Sequence, residues 1–434
     1  RGARCRRAQT NQQRALRKRA TRMSNILEIT LGIMTAMGGF VDVSELVFTA
    51  QAGAKFLYAL IWVIVLGTII IMVFGEMSGR VAAIAKQPVF NLMRQRLGLK
   101  FGILVLIAAT IVNLITCAAE IGGIAIVLQL GVGIPYRLAS CLATISLILV
   151  VWLLPFKAIE RIFGLLGLFM ISFMVSAAAL HPPWNEVVSG LVPQIPAHFS
   201  GSELLTFGYF IVAIISAVVF PYETYFYSSG AVEEHWSKKD LAINRVTTIV
   251  GFALGSLLAI SILINAAVLF APRHIDPQMV GTPALQVAVP FGKTGLILAL
   301  LGMFFAIAGA AIETCLCCAY GVSQFFGWQW GRYQPPSAAP RFTLFWLATF
   351  VIANLIVLTG IDPLNLVEYA VVSSIIVIPF SYLPLLLIAN DRKYMGSQVN
   401  GQYANILGIG SYAIVVIAAI AAVPLYLLSS GGQQ

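Results

Sequence analysis

The sequence predicts an all-α polytopic membrane protein: eleven transmembrane helices, parsed as two five-helix repeats plus one extra helix. Three observations carry this. Of 434 residues, 59 % are hydrophobic and only 10 % are charged, with a mean hydropathy of +0.90. Soluble domains carry about 25 % charge. Apolar runs recur along the chain, each long enough to cross a hydrocarbon layer about 30 Å thick. The runs are continuously apolar rather than alternating, which excludes a membrane barrel.

In chain order, residues 1–25 form a basic tail. It is read as a topology determinant or as an arm that docks on anionic lipid. It has no apolar core of its own, so it does not read as a secretory signal, and Met23 is a candidate start. The spans come next, at roughly 26–50, 56–78, 101–129, 138–155, 160–180, 203–229, 246–270, 294–326, 342–359, 364–389 and 403–428. The first repeat covers 26–180, the second 203–389, and 403–428 is the appended helix. With the N-terminus placed in the cytoplasm, 23 of the 27 Lys and Arg fall inside. Only Lys55, Arg137, Arg273 and Lys293 fall outside, as the positive-inside rule asks. The net charge of +10 therefore reports orientation in a plasma membrane, not a nucleic-acid partner.

The repeat is suggested by two interrupted spans. Span 1 contains "GGFVDVSELVF", where Gly38 and Gly39 precede Asp42 and Glu45. Span 6 contains "SAVVFPYETYF", where Pro221 precedes Glu223. A proline removes one N–H and frees the carbonyl a turn back. Freed carbonyls at membrane depth need protein, water or an ion. A carboxylate at mid-span costs about 2.5–3.5 kcal/mol even on lenient insertion scales. A bound divalent cation removes both penalties, and Asp42, Glu45 and Glu223 with freed carbonyls are a hard-cation donor set. The competing reading of each acid is a protonated packing residue.

Other polar positions are less specific. Glu120 and Glu313 lie mid-span, as second-layer or proton-accepting acids or as plain bundle partners. Glu76 has Arg80 at i+4 for a partner. The "CLCC" of Cys315, Cys317 and Cys318 reads as small helix-packing residues rather than a soft-metal site. His181, His198, His235 and His274 all fall in loops, which speaks against a zinc site. No Walker A loop or Ser-His-Asp set is present, so the chain is not read as an enzyme and no cofactor is expected.

At these residues the sequence resembles the Nramp family of divalent metal transporters, over about residues 28–428. "DVSELVFTAQAGAKFLY" is similar to the family's DPGN stretch and the segment after it, "AEIGGIAIVL" to its span 3 motif, and "AVVFPYETYFYS" to its span 6 motif. "MGSQVNGQYAN" resembles the loop before span 11. The resemblance implies a LeuT-like inverted repeat with unwound helices 1 and 6. It also implies an ion surrounded by Asp42, Glu45, Phe220 and the Ala217 carbonyl. Apart from the resemblance, Val41 is read as offering a further carbonyl, and Tyr222 and Tyr227 as residues around the site.

The departures from the family pattern point one way. Glu45 replaces an amide, Phe220 a thioether, Glu223 an Asn, and Tyr222 and Tyr227 two histidines. An Asp that often stands three residues before Glu120 is Cys117. Sulfur is lost and carboxylate gained, so the site suits Mg²⁺ or Mn²⁺ better than softer ions. The expectation is alternating-access uptake of partly hydrated Mg²⁺, with Mn²⁺ also carried and no proton coupling. The alternatives are a proton-coupled Mn²⁺/Fe²⁺ importer of the ordinary family type, or an amino-acid or organic-cation carrier on the same fold.

Overall fold

An apolar run in lipid has no water for its backbone, so it closes its own hydrogen bonds as a helix. The structure, a computed structural model, describes residues 41–195, 199 and 201–432, and among these all regular structure is helical. The helices are α1 (Val43–Phe56), α2 (Ile61–Ala85), α3 (Val89–Leu97), α4 (Leu99–Val132), α5 (Tyr136–Leu153), α6 (Phe156–Gly167), α7 (Ile171–Ala179) and α8 (Trp184–Ser189). The second half has α9 (Gly201–Val218), α10 (Pro221–Glu233), α11 (Leu241–Leu269), α12 (Leu285–Phe326), α13 (Pro340–Leu358), α14 (Pro363–Ala389), α15 (Arg392–Met395) and α16 (Gln402–Leu428). Ten helical segments among the described residues are long and apolar enough to cross a bilayer. They correspond to spans 2 to 11. Span 1 is described only from residue 41; Gly38, Gly39 and the tail lie outside the described residues.

Three boundaries differ from the sequence reading. α1 runs on to Phe56, and the chain then turns at Leu57 in a positive-φ conformation (φ 53°), so α2 starts at Ile61 and continues to Ala85. α12 begins at Leu285, earlier than expected, and is bent where Pro290 precedes Gly292 at φ 62°. Proline costs the helix a hydrogen bond, and only glycine takes that backbone angle without strain. The basic segment 80–100 also contains α3, whose Val89, Phe90, Leu92 and Met93 are buried.

α1 occupies the interior: every residue from Val43 to Gly53 is buried. It packs on α11 and α9, while α4 packs on α12 and α14. Lipid-facing stripes lie outside, as Leu104, Ile107 and Ile111 of α4 show at helical spacing. On the basic face, Arg80 does more than pair with Glu76 at 3.0 Å. It also donates to the Gln398 carbonyl at 2.8 Å and to Asn400 Oδ1 at 2.7 Å. The "MGSQVNG" loop is thereby tied to α2. On the opposite face, Lys55 pairs with Asp276 at 3.0 Å. The cysteines of "CLCC" turn to different neighbours: Cys315 to the Trp346 carbonyl, Cys317 to that of Tyr222, Cys318 to that of Thr110.

Close approach of α1 to α11 depends on Gly53. A Cβ there would stand 2.2 Å from the Leu263 carbonyl oxygen and 2.9 Å from the Ala266 Cβ. Gly53→Ala is expected to destabilise the protein by about 1–3 kcal/mol through overpacking. Gly410→Ala, in the interior of α16 where nothing lies within 4 Å of the added carbon, is expected to raise stability by about 0.5–1 kcal/mol, since alanine is the better helix former. Thermal unfolding of the two variants in detergent checks this.

Candidate functional site

The site begins with the backbone. α9 ends at Val218 and α10 starts at Pro221, leaving Val219 and Phe220 between them. Phe220 is extended, with φ −78° and ψ 142°. In an unbroken helix the Ala217 carbonyl would accept from residue 221, but Pro221 has no N–H. Asp42 is extended as well (φ −86°, ψ 179°), and α1 begins directly after it. Two helix N-termini therefore open inside the bundle, each the positive end of a macrodipole.

Acids fill those ends. Asp42 Oδ1 accepts the Glu45 N–H at 2.8 Å, an N-cap that accounts for one of its oxygens. Asp42 Oδ2 is buried with no hydrogen-bond partner. Glu45, in the first turn of α1, is fully buried, and neither of its carboxylate oxygens has a partner. Glu223 Oε2, in the first turn of α10, is in the same position. A helix N-terminus contributes about 0.3–1 kcal/mol to an adjacent anion. That is less than the ~2.5–3.5 kcal/mol cost of an acid at membrane depth. The unpaired oxygens thus leave a deficit that a cation can fill.

Asp42, Glu45 and Glu223 lie within electrostatic reach of one another. Glu120 of α4 reaches Asp42 and faces the Val43 amide without forming a hydrogen bond of ordinary geometry; both its oxygens are buried and unpaired. Tyr222 is buried within reach of Asp42, Glu223, Glu120 and Glu313. Phe220 is fully buried, its ring 5.5 Å from that of Tyr222, and it brings no donor. Val41, just before α1, and Ala217, at the end of α9, are buried. Tyr227 lies elsewhere: its ring is 5.6 Å from Trp236 and its neighbours are Glu234 and Glu76, toward the C-terminal end of α10. Glu313 is half-buried between Glu223 and the Glu160–Arg332 pair. Among the described residues, no three His, Cys, Asp or Glu side chains form a ready-made metal-binding group.

Neighbouring helices fix this geometry. Ser78 Oγ of α2 donates to the Thr224 carbonyl at 2.5 Å, and the Val89 N–H of α3 donates to Ser228 Oγ at 3.0 Å. Ser216 Oγ donates to the Val371 carbonyl of α14 at 2.7 Å, holding the end of α9. Gly123 of α4 lets Val43 approach: a Cβ there would meet Val43 Cγ2 at 3.0 Å. Tyr382 of α14 escaped the sequence reading. It is fully buried, its hydroxyl is unpaired, and it lies within reach of Glu223. A tyrosine inside an apolar run offers no signal beyond packing.

Residues 32–424 match the sequence profile of the "Natural resistance-associated macrophage protein-like" family. The chain belongs to the Nramp family. Members of the family are metal transporters rather than enzymes. The chain is 24 % identical to the "Divalent metal cation transporter MntH" of Deinococcus radiodurans, across 87 % of this chain and 85 % of that protein. It is 26 % identical to the protein of the same name from Staphylococcus aureus, across 93 % and 91 %. Its fold is similar to that of the Eremococcus coleocola manganese transporter, with a TM-score of 0.73, 20 % identity and coverage of 93 % and 91 %. The LeuT-like Nramp architecture is thus the fold of this chain, and among the described residues span 6 is broken at Val219 and Phe220.

The two roles of Asp42 are separable. Asn is as good an N-cap as Asp but carries no charge. Asp42→Asn is expected to keep the melting temperature and to lose divalent-ion binding. Asp42→Ala is expected to lose ion binding and also about 0.5–2 kcal/mol of stability. Calorimetric titration of Mn²⁺ together with thermal melts distinguishes them.

Proposed function

We propose that this Nramp chain is an alternating-access carrier for an oxygen-preferring divalent cation, with Mn²⁺ as its cargo. The observation that carries this reading is the set of buried, unpaired carboxylate oxygens of Asp42, Glu45 and Glu223 at two helix N-termini. The Ala217 carbonyl, left without an N–H partner by Pro221, and the Val41 carbonyl complete the donor set with water. Relatives that span most of this chain are named for divalent metal cations and manganese, which supports Mn²⁺. The two five-helix repeats, 26–180 and 203–389, are the bodies that rock about the ion, and the basic face is the cytoplasmic one.

The sequence-based expectation of Mg²⁺ as the main cargo is kept as a second reading, favoured by Phe220. A residue with no donor stands where a thioether would select softer ions, and the added acids hold a hydrated hard ion well. Coupling also has two readings. Tyr222 and Tyr227 in place of histidines favour uptake driven by membrane potential, worth about 2.3 kcal/mol per charge per 100 mV. Glu120, unpaired beside Asp42, favours proton-coupled Mn²⁺ or Fe²⁺ import.

Liposome assays separate these outcomes. Mn²⁺ uptake is expected, with Mg²⁺ competing, and Glu223→Ala is expected to reduce uptake at least tenfold. Uptake of Fe²⁺ or Mn²⁺ untouched by excess Mg²⁺ would remove the Mg²⁺ reading. Acidification of the lumen in step with Mn²⁺ entry establishes coupling, and potential-dependent entry without acidification excludes it. Phe220→Met is expected to raise Cd²⁺ affinity relative to Mn²⁺ at least tenfold, since it restores a soft donor.

A further inference from the structure

Acids continue beyond the central site toward the basic face. Glu313 of α12 lies within reach of Glu223 on one side and of Glu160 and Arg332 on the other. It makes no hydrogen bond among the described residues and is only half-buried. Arg332, between α12 and α13, has a side chain just 4 % exposed although it belongs to a connecting segment. Its guanidinium pairs with Glu160 of α6 at 3.5 Å, with Glu233 at the end of α10 at 3.3 Å, and with Glu234 at 2.8 Å. It lies over the Phe156 ring at 3.9 Å. The Arg332 N–H donates to Glu233 Oε1 at 2.7 Å, and the Tyr320 hydroxyl of α12 donates to Glu233 Oε2 at 2.6 Å. Gly230 of α10 lies against the head group: a Cβ there would be in ordinary contact with both terminal nitrogens, at 3.5 Å.

Burial alone would lower the basicity of Arg332, but Glu160 and the surrounding acids raise it overall, so it stays charged. Lys157 also faces Glu160, while Tyr333 and Glu234 face the arginine. Stability is a weak reason for this arrangement, because well-packed apolar residues often do as well as a buried ion pair. Its position supplies a better one. One tethered cation binds three carboxylates at the end of an acid-lined line that starts at the ion site, and it joins α6, α10 and α12 at that end. α10 carries Glu223 at its other end.

We propose that Arg332 is a tethered-cation latch closing the basic-face end of the ion's route, and that Glu313 is the carboxylate station between latch and site. The proposal rests on the carrier reading above. While the latch is shut, the guanidinium neutralises Glu160, Glu233 and Glu234. When α10 moves, those acids pass to the arriving dication. Opening is thereby tied to movement of the helix that bears Glu223.

The test reads access rather than transport, so it stands even if Mn²⁺ proves not to be the cargo. Glu313→Cys is introduced into the full chain in detergent, and labelling by a cationic methanethiosulfonate is timed against the protein without that cysteine. With Arg332 in place, labelling is expected to be slow. Adding Arg332→Gln is expected to speed it at least tenfold. Glu160→Gln with Glu234→Gln, which weakens the latch while leaving the arginine, is expected to speed it similarly and decides the matter if Arg332→Gln does not fold. Fast labelling with the latch intact, or rates unchanged in the folded latch variants, overturns the proposal.

Discussion

Pro221 has no N–H to offer the Ala217 carbonyl, and a bilayer has nothing to offer in its place. That single missing donor shapes the middle of this protein. It ends α9, opens the N-terminus of α10, and sets free backbone oxygen at membrane depth. The break is tolerable only if it is buried in protein, and it is: Val218, Val219, Phe220 and Pro221 are all buried. Ser216 and Thr224, on either side, are tied to α14 and α2. The break is thus held open by its neighbours rather than being a flexible gap.

The same logic governs the acids. Helix N-termini favour the carboxylates of Asp42, Glu45 and Glu223, and capping uses one oxygen of Asp42. Neither device pairs the remaining oxygens. An acid-rich centre with neither arginine nor lysine among its identified neighbours is poised for a cation from outside. At Arg332 the opposite holds, because there the protein supplies its own cation to a comparable group of acids. Metal passage and latch closure would then draw on one kind of interaction at two depths.

Much of this was legible in the residues. Apolar runs and punctuation located the spans, because backbone satisfaction leaves a membrane segment few options. Pro221 marked the break between α9 and α10 and Asp42 the start of α1, because each has a local backbone consequence. Boundaries were less legible: α1 runs on to Phe56, and its close packing on α11 rests on Gly53, which meets Leu263 some 210 positions away. The pairing of Glu76 with Arg80 was readable at i+4, whereas the further bonds of Arg80 to Gln398 and Asn400 were not. Tyr227 looked like a site residue from its place in the motif. Four residues beyond Glu223 on the same helix, it lies about one turn, roughly 6 Å, further along α10, where Trp236, Glu234 and Glu76 surround it.

The sequence by itself determined the class, the ten described spans, the break at Pro221 and the chemistry of the acids beside the helix N-termini. These come from local rules: hydropathy, the missing proline donor, and the cost of charge in lipid. Only the tertiary structure decided which acids meet. Asp42, Glu45, Glu120 and Glu223 come from three helices. Tyr382, and the line through Glu313 to Arg332, come from three further places in the chain. Such convergence depends on how helices pack, which small residues such as Gly53 and Gly123 permit, and no spacing along the chain encodes it directly.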